Sequence, residues 1–72
     1  MQNREIDEYM INLKSLEKAK LIYDKVSDSI HIIIEEEDAD KAVLLENNIA
    51  IRIKNGKIIE ITIYDLTKIL QD

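Results

Sequence analysis

One imidazole limits the proton chemistry open to this chain. His31 stands in the run Ser27-Asp28-Ser29-Ile30-His31, with Asp24 a few residues upstream. Hydroxyl, imidazole and carboxylate are the parts of nucleophilic acyl transfer, where histidine takes the hydroxyl proton and a carboxylate orients the ring. The spacing speaks against that use. Residues two apart on a strand share a face, so Ser29 and His31 stand side by side on one strand. A structural or half-exposed His31 is the expectation. The acidic run Glu35-Glu36-Glu37-Asp38, followed by Asp40, is the other candidate. Carboxylates are the usual ligands of hard cations, but the run lacks the alternation and turn glycine of an EF-hand, and like-charge runs are ordinarily solvated loops. A paired-carboxylate glycosidase site needs a cleft that so short a chain hardly forms. Gly56 is the single glycine and cysteine is absent. Phosphate-cradling loops, disulfides and thiolate metal sites are therefore all excluded. The residues thus predict no catalytic, cofactor-binding or metal-binding site, and no enzyme.

Charge narrows the partners. Ten Lys and Arg face fifteen Asp and Glu, a net charge of −5. Such a chain is repelled by nucleic acid unless its cations cluster. Lys14, Lys18 and Lys20 form one loose group and Arg52, Lys54 and Lys57 another, with no aromatic residues interleaved to stack on bases. Weak nucleic-acid binding is therefore only a third reading of function. No apolar run approaches the ~20 residues of a membrane span. The opening Met-Gln-Asn-Arg-Glu has no apolar core of a signal peptide, so the expected location is the cytoplasm.

The elements that position these groups can be read from hydrophobic periodicity. The chain of 72 residues allows one domain, and a domain so small buries only roughly 60% of its unfolded surface. Without disulfide or metal, association with a partner is the remaining source of stability. Residues 1–19 are read as an N-terminal helix. Ile6, Tyr9, Met10, Leu13 and Leu16 line one face of 4–19, Asn3 caps it, and lysines gather at its end. From Leu21 the period falls to two. Strands are expected at 21–24, 29–34, 42–45, 49–54 and 57–64, giving an antiparallel sheet over 21–64. Asp65 should cap a short C-terminal helix over 65–71 that carries Leu66, Ile69 and Leu70. The fold class is α+β: an antiparallel β-meander of four to five strands with an amphipathic N-terminal helix and a short C-terminal helix.

Turn chemistry fixes the expected register. In Glu46-Asn47-Asn48, Asn48 is the residue expected at positive φ. A two-residue Asn55-Gly56 loop would pair Lys54 with Lys57 and turn Ile59, Ile61 and Ile63 away from Ile49, Ile51 and Ile53. A three-residue loop with Gly56 in a left-handed bulge instead pairs Ile53 with Lys57 and sets Ile51 across from Ile59. The bulged loop is the prediction. The inward set is then Leu21, Tyr23, Ile30, Ile32, Ile34, Ile49, Ile51, Ile53, Ile59, Ile61 and Ile63. The opposite face retains Ile22, His31, Ile33, Ile58 and Tyr64, with Ala50 beside them and Arg52, Glu60 and Thr62 mixed in. A solvent face normally alternates to polar residues, so these five are the candidate interface. They point to a small non-enzymatic interaction module, homodimeric and able to partner another small protein, antitoxin-like by analogy alone. The alternative, from a different class, is a small-ligand or divalent-metal-binding protein using His31 with Asp24, Asp28 or the acidic loop.

Several of these residues also form a pattern together: Tyr23-Asp24, Asp28, Ile30-His31-Ile32, the turn near Asn48, Asn55-Gly56-Lys57-Ile58-Ile59, and the closing Ile61-Thr62-Ile63-Tyr64-Asp65-Leu66-Thr67-Lys68. In these, residues 21–68 resemble the small prokaryotic family termed domain of unknown function 2283. The resemblance implies a compact β-meander with a C-terminal helix and no known activity, substrate or catalytic residue. The chain departs from the family's pattern at Ser27, at Ile30-His31 and at Asn48, where a glycine is common. The N-terminal helix lies outside the resemblance.

Overall fold

The computed structural model describes residues 9–46 and 48–70. The β-branched runs form five strands, β1 Lys20–Asp24, β2 Ser29–Ile33, β3 Lys41–Leu45, β4 Ile49–Lys54 and β5 Lys57–Ile63. Two short helices flank them, α1 Leu13–Glu17 and α2 Leu66–Leu70. The sheet is antiparallel throughout, with spatial order β1-β2-β5-β4-β3.

That order corrects the expected meander. The β1–β2 hairpin and the β3–β4–β5 meander are each sequential, but β5 returns to lie beside β2, a Greek-key arrangement. The connection from β2 to β3 therefore crosses to the far edge of the sheet. Three strand intervals of about 4.8 Å separate those positions, which the acidic segment 34–40 can span.

The β4–β5 turn is also corrected. Lys54 pairs with Lys57 across a two-residue loop, and Asn55 and Gly56 both take positive φ, 51° and 78°. This is the turn that Asn-Gly favours, because its twist matches that of the strands. The register problem is solved further along. Ile53 faces Ile58, the pairing shifts between Arg52 and Ile53, and Ile51 then meets Ile61 while Ile49 meets Ile63. The bulge sits inside the ladder instead of in the loop, and it lets Ile58 and Ile59 both be buried, at 6% and 1% exposure. In the β3–β4 turn the positive φ falls on Glu46, at 55°, not on Asn48. The Asn48 carbonyl instead accepts the Tyr64 N–H at 2.7 Å.

In the described part of the expected N-terminal helix, non-helical chain over 9–12 precedes a helix of only five residues, α1. Residues 9–12 are not helical, while Ile6 and the expected cap Asn3 lie outside the described residues. Met10 forms a parallel bridge to Lys57, donating to Gly56 O at 3.0 Å and accepting from Ile58 N at 2.8 Å. Backbone pairing to β5 there outweighs helix propensity. The helix starts only after Asn12, whose Oδ1 accepts from the amides of Lys14 and Ser15 at 3.0 and 3.2 Å. No residue of α1 is buried. Tyr9 is the part of the predicted stripe that packs against the core, with the Lys41 ammonium 5.3 Å above its ring.

The core cluster is Ile34, Ile51, Ile53 and Ile58, with Ile32, Ile49, Ile61, Val43 and Leu45 packed around it. Full burial of each such aliphatic side chain contributes about 1.5–3 kcal/mol. Ile58, expected on the opposite face, is thus a core residue. Leu21 and Tyr23, expected inside, stay exposed because β1 is the edge strand.

Candidate functional site

The face opposite the core carries a polar centre. Cross-strand pairing builds one row from Ile22, His31, Thr62, Ala50 and Leu44, and beside it a second from Lys20, Ile33, Glu60, Arg52 and Ala42. His31 Nδ1 lies 3.1 Å from Glu60 Oε2 and 3.0 Å from Thr62 Oγ1. On its other side Nε2 lies 3.4 Å from Ser29 Oγ, which is 2.6 Å from Ser27 Oγ. Thr62 donates to Glu60 Oε2 at 3.2 Å. With Glu60 accepting, the consistent tautomer carries its proton on Nδ1 and accepts from Ser29 at Nε2.

The connectivity is serine to histidine to carboxylate, yet the carboxylate is Glu60 and neither Asp24 nor Asp28. Glu60 reaches His31 only because β5 lies beside β2, which spacing along the chain does not disclose. Ser29 is fully buried, at 0% exposure. A nucleophile must reach a substrate carbon, and this hydroxyl has no exposed approach. The network satisfies polar groups within the sheet.

Around it lies a shallow concavity of about 520 Å³, lined by His31, Lys41, Arg52, Glu60, Thr62 and Tyr64 among others. Arg52 is exposed. The other predicted interface residues divide: Ile22 and Tyr64 are exposed, 48% and 39%, Ile33 is half-buried and Ile58 is in the core. Arg52, Glu60 and Thr62 share this face as expected, and what shortens its apolar strip is Ile58, which belongs to the core.

Asp28 and Asp24 hold turns together. Asp24 Oδ1 accepts from the amides of Val26 and Ser27 at 3.0 and 3.4 Å. Asp28, at φ 54°, accepts from Tyr23 Oη at 2.9 Å, from the Thr67 amide at 3.2 Å and from Thr67 Oγ1 at 2.8 Å. It caps α2 from a distance. The expected cap Asp65 gives its backbone carbonyl to Ile69 N, at 3.2 Å. The Thr67 bonds hold the Asp28 carboxyl below its ordinary value, and hydrogen bonding to Asp28 raises the Tyr23 hydroxyl.

The acidic loop is matched by lysines. Lys57 Nζ lies 3.0 Å from Glu35 Oε1 and 3.9 Å from Glu37 Oε2, and Lys20 Nζ lies 2.6 Å from Glu36 Oε2. Asp40 Oδ2 accepts from Asn55 N at 3.1 Å. Lys57 lowers the Glu35 carboxyl and is itself raised by it; Lys20 lowers Glu36. Among the described residues no group of three His, Asp or Glu side chains is arranged to hold a metal ion. Both loose cation groups of the sequence thus lend a member to this loop, Lys20 from one and Lys57 from the other. Among the described residues no helix is long and apolar enough to cross a membrane.

A run of consecutive exposed apolar residues lies elsewhere, at the sheet edge. All five residues of β1 are exposed, and Leu21, Ile22 and Tyr23 show 67%, 48% and 46% of their surfaces. Alternation alone places Leu21 and Tyr23 in the core; strand order, with β1 at the edge, leaves them exposed.

The comparisons with known proteins agree with the pattern of turns and strands. Neither curated proteins nor solved structures yield a match. The family model described as "Protein of unknown function (DUF2283)" matches residues 20–66, from the first residue of β1 to the first of α2. With more than half of its length matched, the chain belongs to the DUF2283 family of proteins of unknown function.

Proposed function

We propose that this protein is a small non-enzymatic interaction module that works as a homodimer and is able to engage a further small protein. The observation that carries this is β1, an edge strand with three consecutive large apolar residues exposed on both of its faces. Edge strands normally carry charge or proline, or are covered, because open amides and carbonyls invite another chain. Within 20–24 only Lys20 and Asp24, at the two ends, bear charge. Buried Ser29 supports the non-enzymatic reading. Light scattering coupled to size exclusion at micromolar concentration tests the assembly. A species of twice 8.4 kDa is expected, and a monomer at every concentration counts against it. For the chemistry, hydrolysis of a p-nitrophenyl ester should not differ between the protein and Ser29→Ala; a rate lost in the variant overturns the non-enzymatic reading.

A second reading rests on the concavity, where Arg52 and Lys41 stand beside Glu60 and Asp40, a charge-mixed lining for a small polar ligand held through Arg52. Inorganic phosphate and citrate are the probes. No rise in Tm with either at millimolar concentration counts against it.

A further inference from the structure

We infer that two copies join through β1, antiparallel and centred on Ile22, so that the two sheets continue into one of ten strands. This rests on the homodimeric reading above and specifies its contact.

The strand reads Lys20-Leu21-Ile22-Tyr23-Asp24. Turned end for end about Ile22, it is complementary to itself. Lys20 of each copy meets Asp24 of the other, Leu21 meets Tyr23, and Ile22 meets its own counterpart. Opposite charges and large apolar pairs directly across an antiparallel ladder are stabilising, and like charges there are not. The outer backbone of β1 has no strand beside it among the described residues. Either alternate set of outward amides serves, because an antiparallel pair can be centred on a hydrogen-bonded or a non-hydrogen-bonded position. A two-fold of this kind closes after two copies, which prevents open-ended growth.

The groups required are free to take part. Lys20 pairs with Glu36 in its own chain, but those side chains are 65% and 66% exposed, and so exposed a pair holds little. Asp24 uses Oδ1 for its own turn, leaving Oδ2 for the lysine of the second copy. The other edge lacks this symmetry. Centring β3, Lys41–Leu45, on Val43 would set Lys41 against Leu45.

Charge reversal tests the register. Lys20→Glu sets two carboxylates against each other at both ends of the contact and should weaken dimerisation about tenfold. Asp24→Lys should act in the same direction, and Lys20→Glu combined with Asp24→Lys should restore association. The chain has no cysteine, so Ile22→Cys gives a second, independent readout. Opposed Cα atoms in such a pair lie about 4.5–5.5 Å apart, within disulfide reach. Oxidation should link that variant into dimers quantitatively, whereas Val26→Cys, at a position 98% exposed in the β1–β2 turn, should remain unlinked. A folded double variant that stays weak, or an Ile22→Cys protein that does not link while the parent remains dimeric, overturns the β1 pairing and leaves the homodimer standing. A parent that is monomeric throughout overturns both. If the double variant does not fold, the cysteine result decides.

Discussion

Asp28 and Thr67, 39 residues apart, share three hydrogen bonds, two from the Thr67 amide and one from its hydroxyl. The Asp28 carbonyl also accepts Leu66 N at 2.9 Å, and its carboxylate accepts from Tyr23 on β1. One residue thus joins the edge strand, the β1–β2 turn and the start of α2, whose short length leaves it dependent on that cap. Asp28→Ala should lower Tm by about 5 °C, the scale of a lost helix cap in a small domain. Amide exchange at Thr67 should accelerate well beyond that at Ile51. Equal acceleration at both positions would show that the bond does not hold α2 in particular.

Ile53, Ile58 and Ile22 separate the core from the edge. Ile53 and Ile58 are 1% and 6% exposed, Ile22 48%. Ile53→Ala and Ile58→Ala should each destabilise by about 2–5 kcal/mol, a large part of the roughly 5 kcal/mol available to a domain this small. Ile22→Ala should shift monomer stability by no more than about 0.5 kcal/mol. Urea unfolding at concentrations below dimer formation reads the difference. A mild Ile58→Ala would return that residue to the surface where alternation alone places it.

Alternation is enough to put Ile49, Ile51, Ile61 and Ile63 on one face, but not to fix their partners: Ile51 meets Ile61, not Ile59, Ile49 meets Ile63, not Ile61, and Ile53 meets Ile58, not Lys57. It failed at Ile58, because a bulge inside a ladder reverses the face of one residue without marking the sequence. The helical period over 4–19 is visible too, yet two backbone bonds from Met10, to Gly56 in the turn and Ile58 on β5, set an extended path over 9–12 that no local propensity records. The candidate site was less legible still. Ser29 and His31 are neighbours on one strand, but Glu60 joins them only through the β2–β5 pairing, as Thr67 joins Asp28 only once α2 packs back on the first hairpin. Partners supplied by strand order cannot be read before the order is known.

The turn at Asn55-Gly56 tests the corrected loop. Gly56 sits at φ +78°, and a Cβ there would meet nothing within 4 Å. Gly56→Ala should therefore destabilise only through its backbone conformation, by about 1–2 kcal/mol. Asn55→Gly, also at positive φ, should stay within about 0.5 kcal/mol of the parent. A three-residue loop would place no such demand on residue 55. Asn55→Ala nearly as stable as the parent by thermal melting would therefore contradict the two-residue turn.

Titration should bound stability on both sides. Asp28, Glu35 and Glu36 all have folded pKa values below their ordinary ones, through Thr67, Lys57 and Lys20 respectively. The unfolded chain therefore takes up protons first as acid is added. Their contribution is complete above the ordinary carboxylate pKa of about 4 and is lost as pH falls through the lower folded values. Tyr23 and Lys57 are raised instead, so their contribution is complete below about pH 10 and is lost as pH climbs toward the folded values. The urea midpoint should be flat between these limits and fall on either side. Asp28→Asn removes one titrating group and with it part of the Tyr23 shift, so both limbs should become shallower. An acid limb of unchanged slope in that variant would mean that Asp28 is not held ionised by Thr67.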